Sequence, residues 1–211
     1  DAQATSTRRP GRPKAGSDDK KARILAEALT LFSTRGYVGT SLADIARASD
    51  ISKAGLLHHY SSKDQLLAAV LDERDRRTMS RLPGGDAGAE VALDAWVEMV
   101  AHNQRHPDGV ALYTAMSAAV IDADHQAHPW FRQHLMSAIA YLVDALERGK
   151  ATGEVRADAP SEQIARKLVA LSDGLQVQWL CARVDGGGDV DMRGVTAGVV
   201  ADVKDRWLVR S

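Results

Sequence analysis

Histidine is the side chain of this sequence best suited to acid–base or metal chemistry near neutral pH, and the chain carries seven of them. His102 and His106 have the i,i+4 spacing of two metal ligands on one helix face, and two more histidines lie with two aspartates in the segment DADHQAHPW, residues 122–130. Neither group has the HExxH context of a metalloprotease, and Pro107 interrupts the helix directly after His106. We therefore expect no metal site and no cofactor.

Catalytic patterns of other kinds are missing from the sequence as well. The chain has no nucleophile elbow and no Gly-rich phosphate loop after a strand, so we expect a protein that is not an enzyme. Its one cysteine, Cys181, excludes an internal disulfide and is typical of a reducing cytoplasm, where we expect it to be a buried structural thiol. No apolar run is long enough for a secretory signal or a membrane span. These features predict a cytoplasmic protein with no membrane partner.

Charge is distributed unevenly along the 211 residues. Residues 1–80 contain 14 Lys and Arg against 10 Asp and Glu, whereas the remainder contains 13 against 18. This asymmetry indicates a head that binds a polyanion and a body with another role, although chance scatter of surface charge would give the same count.

The apolar spacing predicts an all-α fold of about nine helices, because no alternating strand pattern of useful length competes. Residues 1–16 are rich in Pro, Gly and Arg and predict a disordered basic arm, residues 17–81 a small helix-turn-helix head, and residues 82–211 a larger helical body. Breakers such as Pro107, Pro160 and the DGGGD segment divide the body into helices near 88–106, 108–122, 129–149, 160–184 and 190–208.

The head contains two short helices in the spacing of a helix-turn-helix. Ser41 or Thr40 can cap one of them and Ser52 the next, and the linker SDIS joins them. The turn requires a residue that tolerates the left-handed region, and Asp50 occupies that position. In such a motif the second helix enters the major groove of DNA.

The segment GYVGTSLADIARASDISKAGLLHHYSSKDQLLAAVL, residues 36–71, resembles the TetR family of bacterial transcriptional regulators. The resemblance implies a homodimeric repressor whose two recognition helices bind a palindromic operator in double-stranded DNA. It also implies DNA contacts at the positions that match the family's motif, which are Thr40, Ser41, Ser52, Lys53, Ala54, Gly55, His58, His59, Tyr60 and Lys63. Hydroxyls, imidazoles and ammonium groups suit phosphate contacts, which set register without reading sequence.

Alternatives stay open at Leu57, His58 and His59, whereas Gly55 has a single interpretation. Leu57 could contact a thymine methyl group or pack in the head's core. His58 and His59 could contact phosphates or be solvated surface histidines. Gly55, in the middle of its helix, would allow the backbone to approach the groove closely.

The arm segment RRPGRPK, residues 8–14, resembles the Gly-Arg-Pro core of AT-hook segments, with Arg12 as the candidate reader of a narrow minor groove. If the arm dominated binding, the protein would instead be an architectural or effector-independent DNA-binding protein on A·T-rich DNA. A basic tail that only raises non-specific affinity is the simpler alternative.

The body has aromatic and apolar residues with a few polar groups on four helices, a composition suited to a small-molecule pocket or to a filled core. The candidate ligand-binding residues are Trp96, Met99, His102, Tyr113, Met116, Trp130, Phe131, Gln176 and Trp179. The resemblance implies that a small-molecule effector binds in the body and that the last two helices form the dimer interface. Their apolar stripes give the candidate interface residues Leu168, Leu171, Leu175, Val195, Val199, Val203 and Trp207.

Overall fold

The computed structural model describes residues 15–118, 122–186 and 188–209. Over these ranges the chain forms nine α-helices, and the sole β feature is an isolated bridge between Val155 and Leu208. The all-α prediction is confirmed. The helices are α1 (Ala15–Arg35), α2 (Leu42–Ala48), α3 (Lys53–His59), α4 (Lys63–Met79), α5 (Ala89–Gln104), α6 (Pro107–Ser117), α7 (His128–Thr152), α8 (Ser161–Asp185) and α9 (Met192–Trp207).

Serine residues cap the N-termini of α2, α3 and α4. The hydroxyl oxygens of Ser41, Ser52 and Ser62 each accept a hydrogen bond from the backbone N–H three residues later, at 3.0 to 3.1 Å. Each cap provides an acceptor for one of the N–H groups that a helix start leaves without an intrahelical partner. The starts of α2, α3 and α4 therefore follow directly from the sequence.

The turn between α2 and α3 has the predicted left-handed residue. Asp50 has φ 52°, and no other non-glycine residue in the described ranges has positive φ. Asp tolerates this region better than most residues because its short polar side chain can bond locally. The turn reverses the chain so that α3 packs beside α2.

One hydrophobic core joins the head to part of the body. Ile24, Phe32, Ile45 and Leu56 of the head are at most 1% exposed, and they share this core with the body residues Leu112, Tyr113 and Phe131. Helix α4 contributes Leu66, Leu67, Val70 and Leu71 to it. The head is thus packed directly on α6 and α7, with α4 belonging to both parts.

A second core fills the body between α5, α7, α8 and α9. Its largest members include Leu93, Trp96, Leu142, Leu168 and Trp179. Burial of such side chains contributes about 1.5–3 kcal/mol each and fixes the helices around them.

The segment after α7 closes the body. The Glu154 carboxylate accepts hydrogen bonds from the backbone N–H groups of Ala89 and Glu90, at 2.9 and 2.8 Å, and so caps α5. Gly149, predicted to end the helix, lies inside it, and a Cβ there would stand 2.4 Å from the side chain of Val155. Helix α7 therefore continues to Thr152 and ends at Gly153, which has φ 80°.

Across the described parts of the chain, none of the helices has the combination of length and apolar character that crossing a bilayer would require.

Candidate nucleic-acid interface and the cavities behind it

Helix α3 presents one face to solvent and the other to the head's core. Ser52, Lys53, Ala54 and His58 are exposed, whereas Leu56 is fully buried. The outer face combines a hydroxyl, an ammonium and small or apolar groups, which are the types of contact that a helix in the major groove makes to phosphates and base edges.

Leu57 lies on this outer face and is 40% exposed. The alternative that it packs in the core is therefore wrong, and its neighbour Leu56 takes that position. The contact of this exposed leucine with a thymine methyl stays a prediction.

Gly55 has a local role in addition to the predicted one. Its N–H donates to the Ser52 hydroxyl oxygen at 3.0 Å, and a Cβ at position 55 would lie 3.2 Å from that same oxygen. A side chain here would contact the Ser52 hydroxyl closely, but the equivalent positions of α2 and α4 are Asp44 and Gln65, so the cap does not require glycine. Close approach of the backbone to DNA stays a prediction.

The end of α3 places two histidines and a tyrosine at different depths. His58 is exposed and His59 is half-buried, and their rings meet edge to face with centroids 5.7 Å apart. Tyr60 is 9% exposed with its ring in the head's core, and this burial raises the pKa of its hydroxyl. The histidines remain accessible to a phosphate, and Tyr60 offers only a small part of its surface.

Thr40 does not face DNA, which corrects the sequence prediction. It is 1% exposed, and its hydroxyl lies 3.1 Å from the Leu31 carbonyl oxygen and 2.9 Å from that of Gly36. The hydroxyl is therefore used to anchor the α1–α2 turn. Ser41, the next residue, is exposed at the start of α2 and keeps its predicted position.

Lys63 is also used internally. Its ammonium donates to the carbonyl oxygens of Tyr37 and Thr40, at 2.9 and 3.0 Å, and lies 4.2 Å from the centre of the Tyr37 ring. The Tyr37 hydroxyl in turn donates to Asp64. The ammonium ties the first turn of α4 to the α1–α2 turn with two of its three N–H groups, and a contact of the third to phosphate stays a prediction. Arg12, the candidate reader in the arm, lies outside the described residues.

A family model described as bacterial regulatory proteins, tetR family, matches residues 24–70. This stretch contains α2, α3 and the start of α4, which are the elements of the interface just described. The chain belongs to the TetR family.

Relatives and solved structures agree with this assignment. The transcriptional repressor AcnR of Corynebacterium diphtheriae is 27% identical over 176 residues, which cover 82% of this chain and 84% of AcnR. The biofilm operon icaADBC negative regulator IcaR of Staphylococcus epidermidis is 46% identical over 46 residues, 22% of this chain and 25% of IcaR. A TetR regulator from Chloroflexus aurantiacus has the same fold, with TM-score 0.77 at 20% identity over 93% of this chain and all of that one. The chain is accordingly a TetR-type, DNA-binding transcriptional regulator.

Two hollows lie behind the interface. The wider one, here called the junction cleft, has a volume of about 320 Å³ between α1, α4, α5 and α6. The other, here called the narrow cavity, has a volume of about 30 Å³ between α4, α5, α6, α7 and α8. The narrow cavity has room for water but not for an organic ligand in this conformation.

The candidate ligand residues divide between these hollows and the core. Trp96, Met99, Tyr113 and Gln176 line the narrow cavity, and His102 lines the junction cleft. Four others line neither, because they pack elsewhere: Phe131 and Trp179 are each 1% exposed in a core, Met116 packs against the head's core, and Trp130 stacks on His134. The filled-core alternative is correct for Phe131 and Trp179, whereas Met116 and Trp130 are half-buried at the edge of the head's core.

A polar network connects α4 to the body around the narrow cavity. Arg74, 9% exposed, donates through Nε to the Gly109 carbonyl oxygen at 3.1 Å, and its guanidinium lies 4.4 Å from the centre of the Tyr113 ring. The Tyr113 hydroxyl donates to Asp173 at 3.1 Å, and burial raises the pKa of that carboxyl. Burial is also the main reason why the pKa of Tyr113 is raised.

Two further contacts of α4 reach α7. His134 Nδ1 lies 2.8 Å from an Asp75 oxygen, and the Trp130 indole donates to Asp72 at 3.1 Å. The sequence did not single out Arg74 and Asp75, which lie in the mostly charged run DERDRR of α4. The spacing of the arginines does not reveal that Arg74 is the one whose side chain is buried.

The candidate dimer residues need correction as well. Leu168 and Leu175 are 0% and 4% exposed within the chain's own core, so they are unavailable to a partner. Four others, Leu171, Val199, Val203 and Trp207, are half-buried against the same core, and Val195 alone of the seven is well exposed, at 45%.

The outer face of α8 carries a stripe of small and apolar residues. Ala170, Gly174, Val177, Cys181 and Val184 follow one another at steps of four and three residues, and each is exposed or half-exposed. Val177 is 47% and Val184 86% exposed, and a Cβ at Gly174 would meet no atom within 4 Å. The expectation that Cys181 is buried is wrong, since it belongs to this exposed stripe.

The histidine and aspartate groups noted in the sequence do not assemble. Among the described residues, no set of three or more His, Cys, Asp and Glu side chains is arranged to hold a metal ion. His102 and His106 instead stack on each other, with ring centroids 3.9 Å apart.

Proposed function

We propose that the protein is a cytoplasmic, homodimeric repressor that binds a palindromic operator and is released from it by a small-molecule effector. The observation that carries this proposal is the position of α4, which begins in the DNA-binding head and continues into the body's polar network through Asp72, Arg74 and Asp75. The repressor names of AcnR and IcaR support the direction of regulation.

The outer stripe of α8 supports the dimer. Small residues at steps of four and three allow two copies of a helix to pack closely, in the manner of a coiled-coil seam. On α9, Val195 and Gly198 are exposed on the side turned to solvent, and a Cβ at Gly198 would meet no atom within 4 Å. A twofold axis through this surface would separate two α3 helices by about one DNA turn or more, the geometry that a palindromic operator requires.

Effector release requires a ligand that prefers the conformation with weak DNA binding, with a coupling free energy of about 1–3 kcal/mol. Helix α4 is suited to transmit that preference. A ligand that displaced α6 or α7 would move the acceptor for Arg74 or the partner of Asp75, and the shift would reach the head through α4. The distance between the two heads would then no longer match the operator.

DNA selection followed by release tests this proposal. The full chain is used to select binding sites from random duplexes, and the selected DNA is then titrated with compounds that raise the protein's melting temperature. We expect one palindromic motif and at least one compound that both stabilises the protein and releases the DNA. Uniform binding to A·T-rich DNA would favour the architectural alternative, and stabilising compounds that never release DNA would contradict the effector mechanism.

A further inference from the structure

The junction cleft has the size of a ligand site and is used by neither the DNA face nor the dimer face. Its volume of about 320 Å³ lies at the lower end of the range for small-molecule pockets, about 300–1,000 Å³. Helix α1 of the head forms one wall, α5 and α6 of the body form the other, and α4 runs between them. A molecule bound there would touch both parts of the protein.

Three polar side chains that line the cleft are deeply buried without partners. Thr78, His102 and Asn103 are 6%, 8% and 7% exposed, and across the described residues none of the three side chains has a hydrogen-bond partner. The polar atoms of these side chains are not among the fully enclosed ones that lack a partner, so they open onto the cleft. They are available to a polar group that enters it.

The charged neighbours of His102 show what kind of polar group would fit. Burial is the main reason why the pKa of His102 is lowered to about 4, and His106, Arg81 and Arg105 lower it further. The two guanidinium groups among these neighbours give the surroundings of the ring a positive potential, which favours an anion. The first turn of α6 also borders the cleft, and it carries both backbone N–H groups without a side-chain cap and the Asp108 carboxylate.

Two acidic residues, Glu73 and Asp108, also line the cleft, and neither is among the groups that shift the pKa of His102. Glu73 is held by Arg76 and Arg77, whose hydrogen bonds lower the pKa of the Glu73 carboxyl to about 2. Asp108 lies in the first turn of α6. Arg74 uses Nε and Nη1 for Gly109 and Asp75, and its Nη2 has no hydrogen bond within the described residues.

The remaining wall of the cleft is apolar. Its apolar lining consists of Leu25 and Leu29 of α1, Val70 of α4 and Val110 of α6. An apolar group placed here would be removed from water, at a gain of about 25 cal/mol per Å² of buried surface. One end of the cleft thus suits an anionic group and the other a hydrocarbon.

We propose that the junction cleft binds an organic carboxylate with a short apolar tail. The carboxylate is held by His102, Asn103 and Arg105, and the tail lies between α1 and α4. The binding itself depends on no other proposal. Its role as the effector site rests on the proposed function, because a ligand in this cleft would separate α1 from α6 and so reorient the head.

The test measures binding of a matched set of probes to the full chain by calorimetry. Octanoate, octanamide and octylammonium have the same tail and differ in the charge of the head group. We expect octanoate to bind with one molecule per protomer and about tenfold more tightly than either analogue, as charge-assisted hydrogen bonds require. Equal binding of the amide, or no binding of octanoate at millimolar concentration, would overturn the proposal.

Variants locate the binding site. Arg105→Glu changes an exposed residue of the cleft, and Thr78→Val removes a hydroxyl without changing shape. Each should weaken octanoate binding, the first by about tenfold. Arg132→Glu, an exposed change on α7 outside the cleft, is the matched control and should bind octanoate like the unchanged protein. Equal affinity in all three variants would place octanoate elsewhere and overturn the proposal.

The imidazole signals of His102 give an independent readout. Octanoate should raise the pKa of His102, because a carboxylate beside the ring offsets the effect of His106, Arg81 and Arg105. An unchanged titration of His102 at saturating octanoate would contradict the placement of octanoate in the junction cleft.

Two outcomes separate this binding site from the proposed release mechanism. If octanoate binds as proposed and leaves operator binding intact, the binding site is confirmed and its role as the effector site is contradicted. If another compound releases DNA equally from Arg105→Glu and from the unchanged protein, the release mechanism stands without the cleft.

Discussion

The ammonium of Lys63 lies 4.2 Å from the centre of the Tyr37 ring and donates to the Tyr37 carbonyl oxygen at 2.9 Å. This pair joins the beginning of α4 to the turn that follows α1. The contact holds the α1–α2 turn of the head against α4, the helix that continues into the body. The contact is therefore structural, although Lys63 lies in the segment that resembles the DNA-binding motif of the family.

Lys63 and Lys53 should therefore respond differently to substitution. Lys63→Met removes two charge-assisted hydrogen bonds to carbonyl groups and should lower the free energy of unfolding by about 1–3 kcal/mol. Lys53→Ala removes an exposed charge at the start of α3 and should leave stability unchanged. It should reduce by about one the slope of log affinity against log salt concentration. Denaturant titration measures the stability of both variants, and DNA binding at several salt concentrations measures the slope. A loss of stability in Lys53→Ala, together with unchanged stability in Lys63→Met, would contradict the roles given to the two lysines.

Leu56 and Leu57 form a second matched pair. Leu56→Ala should destabilise the protein by about 2–5 kcal/mol, because it opens a cavity in the head's core. Leu57→Ala should change stability little and should weaken binding to the selected operator more than binding to random DNA. Thermal unfolding and competition binding separate the two results. A large loss of stability in Leu57→Ala would show that Leu57 packs in the core.

The outer stripe of α8 predicts the effect of a charge at the dimer surface. Val177→Glu buries an unpaired carboxylate if the stripe is the interface, so the variant should be monomeric at micromolar concentration. Val91→Glu, at an exposed valine of α5, is the control and should remain dimeric. Sedimentation of both variants checks this, and a dimeric Val177→Glu would place the interface elsewhere.

The lowered pKa of His102 predicts a pH dependence of stability. Its folded pKa of about 4 lies below the unfolded value of 6.5, so between these values the unfolded chain binds more protons. The free energy of unfolding should therefore fall as pH falls from 6.5 towards 4, by about 1 kcal/mol per pH unit from this group. His102→Gln should lack that component, whereas His58→Gln retains it. Parallel stability curves for His102→Gln and the unchanged protein would contradict the burial of a neutral imidazole.

Local signals predicted the head well. Serine caps, the left-handed Asp50 and the spacing of apolar residues each depend on a few neighbours in the chain, so α2, α3 and α4 begin where the sequence indicates. The capping role of Thr40 could not be separated from that of Ser41 in the same way. Only the packed turn shows that the threonine hydroxyl is inside and the serine outside.

The body was predicted less well, because an apolar stripe does not reveal what covers it. On α8 the large residues such as Leu168 face the chain's own core, and the small residues such as Gly174 face outwards. Polar residues were missed for a related reason. Asn103 and Thr78 line the junction cleft, and nothing in the neighbouring sequence indicates that either residue is buried.

A footprint of the full chain on its selected DNA tests whether the protein binds its operator as a dimer. We expect two protomers to protect a palindrome. Val177→Glu should lose this protection, whereas Val91→Glu should protect both half-sites like the unchanged protein. Protection of a single half-site by one protomer, or uniform coverage without a palindrome, would contradict a dimeric TetR-type repressor.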